Sequence, residues 1–195
     1  VLWSTRGNHE SDAGGAGSTY YGIFTLPGSA QAGGIASGTE AYYAFDYGNV
    51  HFICLDSEGT SLKPDSPMWT WLKQDLAQVQ QDWIIAYWHH PPYSKGSHDS
   101  DKEAKLVNMR EQALPLLEAG GVDLVLAGHS HCYERSFLLD GHYGKSDSLT
   151  DAMKKNKGNG KVDGDGAYTK AKLGAAPHEG AVYVVAGSSG KLGGG

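Results

Sequence analysis

With 195 residues and a formal net charge of −6, the chain can bury one sizeable core, and it lacks the basic footprint that would recruit a nucleic acid or an anionic membrane surface. Its two cysteines, Cys54 and Cys132, are too few and too far apart for a disulfide framework or a zinc knuckle, and no apolar run reaches bilayer length. The sequence opens on VLWSTRGNHE without a methionine and closes on VYVVAGSSGKLGGG, so both ends read as cut, and the missing leader says nothing about compartment.

Short runs rich in β-branched and aromatic residues predict strands at VLWST (1–5), AYYAFDY (41–47), VHFICLD (50–56), DWIIAYW (82–88), VDLVLAG (122–128) and AVYVVAG (181–187). Ser66 and Pro67 form an N-cap and first-turn pair, and Met68, Leu72, Leu76 and Val79 then repeat at helical spacing, which predicts a helix over about 67–80. A second helix is expected over 102–119, kinked or restarted at Pro115 and stopped by Gly120 and Gly121. The Gly-rich stretches 13–38 and 158–166 are too polar for core and are expected as long surface loops. NGKVDGDG lacks the acidic spacing and terminal glutamate of a calcium loop and reads as a turn.

Three of the expected strands end on metal-ligand residue types. VLWST delivers Asn8 and His9 through GNHE, DWIIAYW delivers His89 and His90, and VDLVLAG delivers His129 and His131. In open sheets flanked by helices, ligands bind at the carboxyl ends of strands, so the three junctions can converge on one place. If 129–131 is extended, His129 and His131 share a side and Ser130 faces away, while Gly7 and Gly128 permit close backbone approach. Imidazoles with an amide oxygen suit zinc, iron or manganese better than calcium or magnesium.

The motifs GNHE at 7–10, WHHPPY at 88–93 and GHSHCYER at 128–135, in that order, resemble the later motifs of the calcineurin-like metallophosphoesterases, and most of all the purple acid phosphatase branch in its bacterial form. The resemblance implies a single catalytic domain over 1–195 with a metallophosphatase-type four-layer α/β/β/α sandwich of mixed sheets, incomplete at its N-terminus. It implies Asn8, His89 and His129 as ligands of one metal and His131 as a ligand of a second. His9 then contacts phosphate and protonates the leaving oxygen, and His98 falls where plant-type members place a substrate-contacting histidine. The cofactors implied are two divalent or trivalent ions of iron, zinc or manganese. The partner is a small phosphorylated substrate, with no nucleic acid and no membrane, in a secreted or periplasmic setting. The reaction is hydrolysis of a phosphomonoester by a metal-bound hydroxide.

The family's earlier aspartate and its GDxxY motif are not in this sequence, so the resemblance implies a fragment with a nearly complete second metal site and only His131 for the first. Two alternatives follow: a phosphodiesterase or nucleotidase on the same core, and a catalytically silent metal- or phosphate-binding module. The remaining candidates have structural readings. His90 is a packing residue, His51, His142 and His178 are structural or loop residues, and Glu134 with Arg135 is an ion pair. Glu10 and Asp56 orient a ligand or cap backbone, Cys54 is a buried thiol, Cys132 points away from the site, and Trp69 and Trp71 pack a helix.

Overall fold

The structure is a computed structural model, and it describes residues 2–12 and 18–189 apart from 160, 162, 164 and 173. Seven strands form one mixed sheet: β1 (Tyr43–Tyr47), β2 (Val50–Cys54), β3 (Trp83–Trp88), β4 (Leu124–Ala127), β5 (Tyr133–Leu139), β6 (Lys154–Asn156) and β7 (Ala181–Ala186). Their order is β1-β2-β3-β4-β7-β5-β6. The inner four, β2, β3, β4 and β7, run parallel, and the flanking strands pair antiparallel. The carboxyl ends of β3 and β4 therefore open on the same edge, and Gly128 N–H donates to His89 O at 3.0 Å to hold the two ends together.

Strand alternation divides the apolar residues between two faces. Ile53, Ile84, Ala86, Trp88, Val125 and Tyr183 face the helical side and pack with Met68, Trp69 and Leu72 of α3 (Pro67–Leu76) and Leu114 and Leu117 of α5 (Leu114–Ala119). Full burial of side chains such as Leu72, Ile84 and Leu114 stabilises by roughly 2 kcal/mol each. The two short N-terminal helices are α1 (His9–Asp12) and α2 (Ser18–Ile23). On the opposite face Trp3 stacks on Phe45 at 4.5 Å and Phe45 on Phe52 at 4.7 Å, beside Tyr20 of α2. That cover stops short of the sheet's middle: Leu126 is 37 % exposed, and a hollow of about 460 Å³ is lined by Ile85, Leu124, Val182 and Val184. The described residues thus build one mixed sheet with a helical layer on one face.

The long helix follows the expected pattern with an instructive break. α4 (Ala104–Asn108) passes into a π-helical turn at Met109–Ala113 before α5 resumes. Pro115 has no N–H to offer the preceding turn, and the wider π turn accommodates the loss without ending the helix. α3 ends at Leu76, four residues before the expected stop. Three further expectations change. VLWST is no strand over its described residues 2–5: Ser4 O accepts the Tyr43 hydroxyl at 2.7 Å and Thr5 Oγ1 donates to Leu55 O at 3.1 Å, so side-chain bonds replace a ladder. β5 and β6 were not foreseen, since β5 begins inside the motif GHSHCYER. The Gly-rich stretch 13–38 contains α2, anchored by buried Tyr20. Residues 13–17, and 160, 162 and 164 of NGKVDGDG, lie outside the described residues.

Candidate metal centre

Asn8 stands at the start of α1, His89 directly after β3, and His129 two residues after β4. Their donor atoms form a small triangle. His89 Nε2 lies 2.8 Å from Asn8 Oδ1 and 3.0 Å from His129 Nδ1, and His129 Nδ1 lies 3.3 Å from Asn8 Oδ1. Donor atoms that share one first-row metal at about 2.1 Å stand roughly 3.0–3.4 Å apart, so the 3.0 and 3.3 Å edges match a common ion and the 2.8 Å edge is slightly shorter. The amide oxygen and two imidazole nitrogens are also the donor chemistry such ions take.

Local backbone chemistry explains the convergence. A Cβ on Gly7 would lie 2.8 Å from His89 Cε1, so only glycine lets Asn8 approach that ring, and Gly7 N–H donates to Glu10 Oε2 at 2.8 Å. His129 has φ of +60°, a left-handed conformation that costs a non-glycine residue energy and concentrates at functional sites. This corrects the extended reading of 129–131. The segment bends, with Ser130 N–H donating to Gly128 O at 2.7 Å and Cys132 N–H to Ser130 O at 2.8 Å, so the alternation rule does not apply to it. Gly128 is not sterically required either, because its nearest added-Cβ contact is 3.9 Å.

Burial holds both ring pairs neutral. It lowers His89 to about 4, and it lowers His129 to about 4 with help from the neighbouring His98 and His89 charges. Each neutral ring therefore offers one nitrogen lone pair near neutral pH. His90 is buried beside them, its ring 4.4 Å from that of His129, with Nδ1 bonded to Ser57 Oγ at 2.9 Å and its own pKa pushed down by burial. Its geometry also permits a His89, His90, His129 grouping, with ligand atoms within 4.8 Å of one another.

The other expected site residues share the cleft without joining the triangle. His9, His98 and His131 line the same hollow of about 290 Å³ as Asn8, His89 and His129. His9 is exposed at its rim, and the His131 backbone N–H donates to Ser97 Oγ at 3.0 Å. His98 stacks on His129 with centroids 3.8 Å apart. Sequence reasoning missed Glu103, whose carboxylate takes His98 Nδ1 at 2.9 Å, and the Ser57 and Glu58 pair around His90. The one available signal was an acid five residues after His98 at the start of a helix.

Several structural readings are settled here. Glu10 and Asp56 cap backbone: Asp56 accepts Glu58 N–H at 2.9 Å and Gly59 N–H at 3.0 Å and pairs with Arg6 at 3.2 Å. Glu134 and Arg135 do not pair. Glu134 accepts Ser94 Oγ at 2.6 Å, whereas Arg135 donates to the Tyr168 hydroxyl at 2.6 Å, because neighbouring strand residues point to opposite faces. Cys132 Sγ faces Ser130 and Glu134, Cys54 is fully buried, and Trp69 and Trp71 pack in the core.

Residues 2–133 match the model of the calcineurin-like phosphoesterase family. The chain belongs to that family. It is 36 % identical over 141 residues to purple acid phosphatase 23 of Arabidopsis thaliana, covering 67 % of this chain and 28 % of that one. It is 33 % identical over 132 residues to probable inactive purple acid phosphatase 9 of the same plant, covering 64 % and 20 %. The fold matches a purple acid phosphatase from yellow lupin (Lupinus luteus) seeds with a TM-score of 0.61 at 20 % identity, over 96 % of this chain and 28 % of that one. The chain therefore spans 20 % to 28 % of the length of these relatives. Membership implies divalent or trivalent metal ions, and the donor triangle fits them. No helix among the described residues is long and apolar enough to cross a membrane.

Proposed function

We propose that this chain is the metal-holding part of a phosphoester hydrolase of the acid-phosphatase type, acting on small phosphomonoesters, with 1–195 working as one catalytic unit. The observation that carries the reading is the triangle of Asn8 Oδ1, His89 Nε2 and His129 Nδ1 at the carboxyl edge of the sheet. Those three would hold one ion of iron, zinc or manganese, and His131 across the same cleft would serve a second. Bound there, such ions neutralise the phosphoryl charge and make a water-derived nucleophile accessible near neutral pH.

The chain's own groups supply the rest. His9, exposed at the cleft rim, hands a proton to the departing alcohol oxygen, and His98 meets a phosphoryl oxygen. The fixed strand ends contribute by holding these groups in place before substrate arrives. A secreted or periplasmic setting belongs to the same proposal and rests on the family resemblance.

A second reading, a metal-binding module without turnover, is favoured by one feature of the donor set: Asn8, His89 and His129 bring no negative charge. Two cations held close by neutral ligands repel each other, so this chain should retain one ion and hydrolyse slowly. Metal-loaded chain should be assayed on a chromogenic phosphomonoester and on the matching diester, with bound metal measured in parallel. Monoester turnover that exceeds diester turnover and falls on His9→Ala with metal retained supports the hydrolase. Faster diester hydrolysis would point to a phosphodiesterase, and bound metal with no turnover to the silent module.

A further inference from the structure

Beside the cleft, bonded to one of its lining histidines, stands an acid that the proposed reaction does not use. Glu103 lies just before α4, and its two carboxylate oxygens sit 3.0 and 2.9 Å from His98 Nδ1. The same carboxylate accepts Asp99 N–H at 2.9 Å and stands 3.9 Å from Nε2 of His129. His129 turns its other nitrogen, Nδ1, toward Asn8 and His89. One carboxylate therefore faces the outer nitrogen of a ring in the donor triangle and grips the ring stacked on it.

We propose that Glu103 is a positioning residue for both imidazoles: it fixes His98 through Nδ1, so that Nε2 remains for substrate, and from 3.9 Å, beyond hydrogen-bond length, its charge faces the outer nitrogen of His129 while Nδ1 ligates metal. This deepens the hydrolase reading and rests on it for the His98 arm. The physical grounds are general. A ligating imidazole commonly offers its second N–H to a carboxylate, which fixes ring orientation and raises ligand basicity. A ring pinned at one nitrogen and stacked on a neighbour loses its rotational freedom before substrate binds, so less ordering remains for the complex.

The loop that carries both residues is itself anchored. Arg110, buried in the π turn, donates to Pro92 O at 3.2 Å, Ser100 O at 2.5 Å and Tyr143 O at 3.1 Å. Glu103 thus acts from a held platform. The rival account is that Glu103 only closes the 98–103 turn through Asp99 N–H. That account predicts changes in stability alone.

The two accounts separate with Glu103→Ala, Glu103→Gln, His98→Ala and the double variant His98→Ala/Glu103→Ala. Each is checked for folding by circular dichroism, then titrated with Zn²⁺ or Mn²⁺ and assayed on a chromogenic phosphomonoester. Glu103→Ala should weaken the metal Kd about tenfold and raise KM with it. Glu103→Gln keeps an acceptor for His98, so it should restore KM toward wild type while the metal Kd stays weakened. On the substrate arm the double variant should lose no more than His98→Ala alone, since the two act through one ring. An unchanged metal Kd in Glu103→Ala, or strictly additive KM effects, would overturn the proposal. A wild-type chain that binds metal without turnover counts against the hydrolase reading, and the metal Kd of Glu103→Gln then decides this one; a misfolded Glu103→Ala leaves the same variant to decide.

Discussion

A half-buried pair of histidines and one buried histidine meet opposite fates in this molecule. His89 and His129 face an amide oxygen and each other, and burial drives both pKa values down to about 4. His51, on β2, is bracketed instead: Nδ1 lies 2.7 Å from Asp46 Oδ1 and Nε2 lies 2.8 Å from Asp75 Oδ2. Burial alone would lower His51, but the bonds and charges of Asp75 and then Asp46 outweigh it and raise the pKa. Both its ring nitrogens face carboxylate oxygens, an arrangement that favours the protonated ring between β1 and α3. Burial by itself does not make a ligand. At the triangle His89 Nε2 and His129 Nδ1 face an amide oxygen, and Glu103 stands toward the outer nitrogen of His129.

That contrast can be broken most severely at the triangle. His129→Ala removes one of three donors and should abolish stoichiometric metal binding, read as bound metal per chain after dialysis. His131→Ala, outside the triangle, should leave one ion in place. Equal stoichiometry in both variants would dissolve the distinction drawn between them.

Crowding the triangle without removing a donor should cost less. Gly7→Ala places a methyl 2.8 Å from His89 Cε1 and 2.9 Å from Glu10 Oε2. The loop must shift, and metal affinity should fall about tenfold, since displacing the support of a ligand typically costs that much. Isothermal titration with Zn²⁺ measures it, and an unchanged Kd would mean that Asn8 does not depend on this close approach.

The smallest effect sits at the charged histidine and concerns stability alone. His51→Gln replaces two charge-assisted bonds with weaker ones and should destabilise by about 2 kcal/mol, seen as a lower Tm. The pH dependence has a definite sign. Because the folded pKa is raised above the ordinary 6.5, the clamp's contribution is complete below about that pH and fades as pH climbs through the folded value. The Tm gap between wild type and His51→Gln should be widest at pH 6 and narrow on the alkaline side. A gap that widens with pH would show that His51 is neutral in the fold.

What the sequence made legible divides along the same physical line. Strand runs with a clear apolar character, from AYYAFDY to AVYVVAG, gave five strands, and strand ends pointed to the junctions after β3 and β4, while the family resemblance singled out Asn8, His89 and His129. Features governed by contacts across the chain were hidden. β5 carries the polar residues Glu134, Arg135 and Ser136 through its first half, so it lacks an apolar signature, yet it pairs with β7 through the ladder. The left-handed turn at His129 reversed the expected side-chain alternation, which no spacing rule registers. Glu103 and the Asp46 and Asp75 clamp belong to the same class, because their partners lie on other elements or across a turn.

The central claim is that Asn8, His89 and His129 share one ion, and anomalous diffraction from a crystal of the Zn²⁺-loaded chain, collected at the zinc edge, tests it most directly. The account predicts a single strong peak within about 2.3 Å of Asn8 Oδ1, His89 Nε2 and His129 Nδ1. A principal peak at the Glu118, Asp140 and His178 group or at the His98, Glu103 and His129 group, the two mixed clusters among the described residues whose ligand atoms lie within 4.8 Å of one another, would contradict it.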